Sequence, residues 1–163
     1  MNIIIREHTQ SDMEQMIQIW NEVVDDGIAF PQIEKLSTSA AICFFSEQSF
    51  TGVAENEETG EILGLYILHP NNIGRCGHIS NASYAVKSTA RGLRIGKRLV
   101  VHSMEKSKEL KFRILQFNAV VKTNGAAINL YERLGFTQLG VIPGGFMMKD
   151  GTFEDIIPFY RTL

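Results

Sequence analysis

Apolar positions along the chain follow two periods, and the switches between them outline the elements. Asn2–His8 is a short β-branched run that reads as a strand. Ser11-Asp12-Met13-Glu14 has the spacing of a capping box, with the Ser11 hydroxyl on a free amide and Glu14 reaching back. Behind it Met13, Met16, Ile17, Trp20 and Val24 recur at helical spacing, and Asp25-Asp26-Gly27 ends the helix. A second helix is predicted over Thr38–Glu47. The period then shortens. Phe50–Glu55 and Ile62–His69 read as a hairpin turned through Glu57, Glu58 and Gly60, and His78–Val86 as a further strand. Leu93, Leu99, Val100, Val101 and Met104 mark a helix, and Arg113–Val121 a strand. Gly125–Leu134 reads as a helix closed by Gly135 at the C′ position. Phe136–Ile142 and Asp155–Tyr160 are closing strands, turned at Asp150-Gly151. The order βααβββαβαββ predicts an α/β fold, a mixed sheet with helices on both faces.

Composition removes several function classes. With 163 residues, 44% of them apolar, the chain reads as one soluble domain over 1–163 that needs no staple to fold. Sixteen Lys and Arg against 18 Asp and Glu leave a net charge of -2, which gives no electrostatic footprint for nucleic acid. Cys43 and Cys76 form neither a disulfide framework nor a metal-binding spacing, and read as buried small hydrophobes of a reduced, cytoplasmic protein. Met1–Arg6 carries only three consecutive apolar residues, too few for a secretory signal, and no run approaches a membrane span. A homodimer is one state open to such a domain.

The segment richest in chemistry begins where the His78–Val86 strand ends. Arg91, Gly92, Arg94, Gly96, Lys97 and Arg98 crowd the turn that opens the next helix. Helix-start amides lack internal partners and the dipole adds positive charge, so such an end suits a phosphate or pyrophosphate. A P-loop is excluded, because Gly92 and Gly96 have three residues between them and Arg98 stands where a metal-binding hydroxyl belongs. The dinucleotide fingerprint G-x-G-x-x-G is absent too.

Arg91-Gly92-Leu93-Arg94-Ile95-Gly96 instead resembles the R/Q-x-x-G-x-G/A signature of the GNAT superfamily of acyl-CoA-dependent N-acyltransferases, with Arg94 where the first glycine usually stands. Asn124-Gly125-Ala126-Ala127-Ile128-Asn129-Leu130-Tyr131-Glu132-Arg133-Leu134-Gly135-Phe136 is similar to that family's N-x-x-A-x-x-x-Y-E-x-x-G-F segment at every fixed position. The resemblance covers essentially the whole chain. It implies a mostly antiparallel sheet and acetyl-CoA as cosubstrate, with no metal. It further implies that Arg91, Gly92, Leu93, Arg94, Ile95, Gly96 and Lys97 hold the pyrophosphate. Tyr84, Ala85 and Val86 would offer strand backbone to pantetheine, with Asn124 and Ala127 flanking the same arm. Tyr131 matches the tyrosine that protonates the departing thiolate, a role that suits a phenol.

The phosphinothricin-acetyltransferase-like branch carries a Glu five residues before the position of Val86. Here that residue is Asn81, an amide, which is read as orienting the acceptor or a water rather than as a base. His78 is a candidate base by residue type alone. The acceptor pocket is expected from Asp26–Pro31, with Phe30 as its aromatic wall, and from the late hairpin, where Glu154 and Asp155 stand ready for an amine. The implied function is acetyl transfer to a small amine, an amino acid or an analogue. The alternatives are a protein N-terminal or lysine acetyltransferase, and a non-catalytic acyl-CoA sensor.

Overall fold

The computed structural model describes residues 1–163. Its strands are β1 (Ile3–Glu7), β2 (Phe50–Asn56), β3 (Glu61–Pro70), β4 (Ile79–Val86), β5 (Ile114–Val121), β6 (Thr137–Gln138), β7 (Ile142–Met147) and β8 (Phe153–Thr162). The helices are α1 (Met13–Asp26), α2 (Thr38–Ser46), α3 (Ile95–Glu109) and α4 (Gly125–Arg133). The sheet runs β1-β2-β3-β4-β5-β8-β6, with β7 also on β8. Every pairing is antiparallel except β4 with β5. None of the helices is long and apolar enough to cross a membrane.

Strand alternation divides the core. On one face Leu65, Ile67 and Ala85 pack beneath α1 and α2, where Trp20 meets Phe30, Phe44 and Phe45. On the other, Tyr66, Leu68 and Ala82 pack against Ile95, Leu99 and Val100 of α3 and the ring cluster beneath α4. Gly64 lets α3 come this close, since a Cβ there would stand 2.8 Å from the Ala85 carbonyl oxygen and 3.0 Å from Ile95.

Three expectations from the sequence are corrected. The predicted closing strand Phe136–Ile142 is two strands, because Gly140 takes a φ of 142° between β6 and β7. Both fragments lie along one edge of β8, and the order therefore ends in three strands. The two cysteines are free and exposed rather than buried, with Cys43 Sγ 3.1 Å from Glu47. The capping box starts two residues before the predicted one and closes the 3-10 turn Gln10–Asp12 that leads into α1. Asp12, not Glu14, reaches back to the Thr9 amide at 2.7 Å.

Asp12 was the better candidate because it also takes a cation. Arg6 on β1 donates to both of its carboxylate oxygens, at 2.7 and 2.9 Å, which ties the first strand to the first helix. That pair, against some desolvation, lowers the Asp12 pKa to about 2. A lowered folded-state pKa adds stability above the unfolded carboxylate value, and that stability is lost as pH falls toward 2. Asp12→Asn should therefore cost about 2 kcal/mol at pH 7 in denaturant unfolding. The gap between the two proteins should close as the measurement is repeated from pH 4 downward.

Candidate active site

After β4 the chain passes through a short 3-10 turn, Ser88–Ala90, into α3. Gly92 and Arg94 both take positive φ, 88° and 60°. That conformation favours glycine, so the residue type expected at Arg94 has a backbone reason, which this chain overrides at some strain. The amides of Ile95, Gly96 and Lys97 find no acceptor in the chain, and the first bond of the helix runs from Arg98 N–H to the Arg94 carbonyl at 3.2 Å. Open amides at a helix start make an anion site. They face a groove of about 1110 Å³, with Arg91, Gly92, Arg94 and Lys97 on one wall and Asn124, Asn129 and Arg133 on the other.

The groove sorts the predicted basic residues. Arg91 lines it and donates to Asp26 at 3.1 Å, at the end of α1. Arg98 turns the other way and donates to the Ile3 carbonyl at 2.9 Å, so it adds no charge here. Leu93 is exposed and lies outside the groove lining. Ile95 is buried in the core, so only its backbone faces the ligand side. Arg133 went unnoticed in the sequence, although it follows Asn129 by one helical turn, the spacing that puts two residues on one face.

Strand β4 forms the floor. It pairs with β5 only at Ile79, Ser80 and Asn81, after which the strands part. Along the β3 side, Asn71 N–H bonds the Ile79 carbonyl at 2.8 Å and Lys87 N–H bonds the Leu63 carbonyl at 3.0 Å. Ladder bonds alternate, so the odd residues of β4 turn their backbone to β3. Tyr84 and Val86 therefore turn their N–H and C=O groups into the gap where β5 has withdrawn. Ala85 does not. Its backbone faces β3 and its side chain is fully buried beneath α1, which corrects the expectation that it contributes alongside its neighbours.

The gap widens into a cavity of about 310 Å³ that meets the groove at Ala29, Tyr84, Gly96, Asn124 and Leu130. Tyr131 stands in its wall, packed on Phe117 at a centroid distance of 4.4 Å, with its hydroxyl free of any partner in the chain. Burial alone raises the phenol well above its ordinary pKa. The Tyr84 hydroxyl is committed to Ser103 Oγ at 2.7 Å. Asn124 caps α4 by accepting the Ala127 amide at 3.2 Å, which leaves its amide nitrogen for a ligand. Ala127 lines the cavity one turn before Tyr131. Asn81 marks the apex of the gap, buried, with an amide that no other side chain engages. Phe30 closes the far side, packed at a tilt on Trp20 with ring centroids 4.4 Å apart.

Other candidates fall away from the cavity. His78 is exposed before β4, and neither it nor Glu154 lines cavity or groove. Asp155 accepts from the Gly144 amide at 3.1 Å and pairs with Lys122 at 3.4 Å, so it holds the irregular stretch of the β7–β8 pairing. Asn118 is a residue the sequence did not single out. It lines the cavity and bonds Asn71 at 2.7 Å and Gln116 at 3.0 Å.

The basic groove thus runs into an apolar cavity with a free phenol in its wall. Residues 13–136 match the model of the acetyltransferase (GNAT) family. The chain belongs to that family. N-acetyltransferase aca1 of Schizosaccharomyces pombe is 30% identical over 79% of this chain and 69% of that protein. A GCN5-related N-acetyltransferase from Kribbella flavida superposes with a TM-score of 0.91 at 28% identity, over 99% of this chain and 98% of that one. A phosphinothricin acetyltransferase from Sinorhizobium meliloti, solved with acetyl-CoA, gives 0.91 at 23% identity, over 100% and 89%. This GNAT protein is accordingly an acetyl-CoA-dependent N-acetyltransferase.

Arg94 gives the groove a test with two opposite signs. Arg94→Gly relieves a left-handed backbone and removes a cation. The unliganded variant should be more stable by up to about 1 kcal/mol in thermal or denaturant unfolding. Its affinity for acetyl-CoA, read by calorimetry, should fall roughly 5- to 10-fold.

Proposed function

We propose that this GNAT enzyme acetylates the primary or secondary amine of a small molecule, an amino acid or an analogue, by direct attack in a ternary complex. The observation that carries this reading is that the basic groove opens into a small cavity with Tyr131 in its wall. A cavity of about 310 Å³ suits a small ligand rather than a folded partner. The cations of the groove and the open amides of α3 suit a pyrophosphate. The gap-facing amides of Tyr84 and Val86 suit the amide-bearing pantetheine arm and the thioester carbonyl, where a positioned N–H stabilises developing negative charge.

Tyr131 then serves as the acid. A desolvated phenol with a raised pKa holds its proton at neutral pH, where it stands ready to hydrogen-bond and protonate the sulfur as negative charge develops on it. Asn81 orients the acceptor with its unengaged amide, and Phe30 forms the apolar wall beside it. A sensor without catalysis has no use for a free hydroxyl in this cavity wall. The two exposed free thiols fit a reducing compartment, and we assign the enzyme to the cytoplasm. Apolar side chains exposed around the β7–β8 hairpin, among them Ile142, Met147 and Phe153, support a homodimer.

Tyr131→Phe keeps the ring packed on Phe117 and deletes only the proton donor. Thiol release from acetyl-CoA with the best amine of a panel should fall about 10²–10⁴-fold. Thermal melts with and without acetyl-CoA should match the wild type. Wild-type turnover in the variant would remove Tyr131 from the chemistry.

A further inference from the structure

The cavity that receives the acceptor has no charge in its walls. Apolar side chains line it, with the amides of Asn81, Asn118 and Asn124, the Ser83 hydroxyl and the phenols of Tyr84 and Tyr131. Neither phenol is a base, since both are buried and hold their protons more tightly than an exposed tyrosine. Strands β4 and β5, the starts of α3 and α4, and the Ala29–Pro31 linker contribute no carboxylate or imidazole to it.

The nearest acids are spoken for. Asp26, in the adjoining groove, holds Arg91 at 3.1 Å, and Glu22 accepts the Ser88 amide at 3.1 Å. Asp25 lies behind Phe30 and Pro31 in a separate pocket, 3.9 Å from Lys35 and beside Lys149. Asp155 is bound to Gly144 and Lys122. A cation in the cavity would leave water and meet no opposite charge, which strongly disfavours the charged form of any amine there.

We propose that the acceptor enters this cavity only as the neutral amine, having left its proton in bulk water, so that the site selects weakly basic, locally uncharged amines. The proposal rests on the acetyl-transfer reading above. With a neutral acceptor the proton balance closes without a protein base. The amine nitrogen bonds to the acetyl carbon as the carbon–sulfur bond breaks, and Tyr131 gives its proton to sulfur. The surplus proton on nitrogen then returns to the Tyr131 oxygen, and the products are the neutral amide and the free thiol. An ammonium acceptor would need one further proton acceptor, which the walls lack.

Two readouts on the wild-type enzyme test this. The first is the pH dependence of kcat/KM for thiol release with acceptors of different basicity, such as an amino-acid amide and an alkylamine. The inflection should follow the acceptor, moving by about 2 pH units between an amine near 8 and one near 10.4. The second is calorimetry of acceptor binding to the CoA-bound enzyme at pH 7, in buffers of different ionisation enthalpy. Release of about one proton per amine is expected. One inflection shared by all acceptors, or binding without proton release, overturns the neutral-amine proposal and leaves acetyl transfer standing. Absence of thiol release with every amine overturns acetyl transfer itself, and this proposal with it.

Discussion

Strands β4 and β5 run parallel, pair over three residues from Ile79 to Asn81, and then separate. The rest of the site depends on that divergence. A parallel pair must be joined by a crossover, here α3, so the chain leaves both strands at the same end of the sheet. Each strand feeds a helix there, and both helix starts come to the mouth of the gap, that of α3 with its open amides. Unpaired backbone is ordinarily costly inside a fold. On β4 it is confined to the edge that faces groove and cavity, where a ligand with amides and a carbonyl can satisfy it. The bulge of β5 between Phe117 and Val120 carries that strand away, while β8 keeps it in the sheet.

The gap also separates two kinds of electrostatics. The groove is cationic, with Arg91, Arg94, Lys97 and Arg133 around an anion-binding helix start. The cavity next to it is neutral, and its polar groups are amides and hydroxyls. The two share Ala29, Tyr84, Gly96, Asn124 and Leu130, so a ligand with charged phosphates at one end and an uncharged acyl group at the other spans both. Gly64 makes this compact, because a side chain there would push α3, and with it the phosphate turn, off the sheet.

Local signals carried much of this in the sequence. The spacing from Arg91 to Gly96 and from Asn124 to Phe136 marked the two helix starts, and helical or alternating periods located all four helices and the five strands up to β5. What escaped was set by contacts between distant segments. Asp12 outcompeted Glu14 as the cap because Arg6 on β1 also binds it, and no local pattern reports that pairing. Arg98 sits among the phosphate-turn cations in sequence but is one helical step round, over β1. Ala85 lies between two residues that face the gap, yet strand alternation turns it away. Gly140 broke a run that reads as continuous strand, through a backbone angle that composition does not specify.

The central claim is that the β5-facing edge of β4 receives the acyl donor. Amide hydrogen exchange across β4, measured residue by residue with and without saturating acetyl-CoA, tests it most directly. The amides of Tyr84 and Val86 should gain protection on binding, while that of Ala85, already in the ladder with β3, should not change. Unchanged exchange at Tyr84 and Val86, with the donor bound and protection appearing elsewhere, would contradict the account.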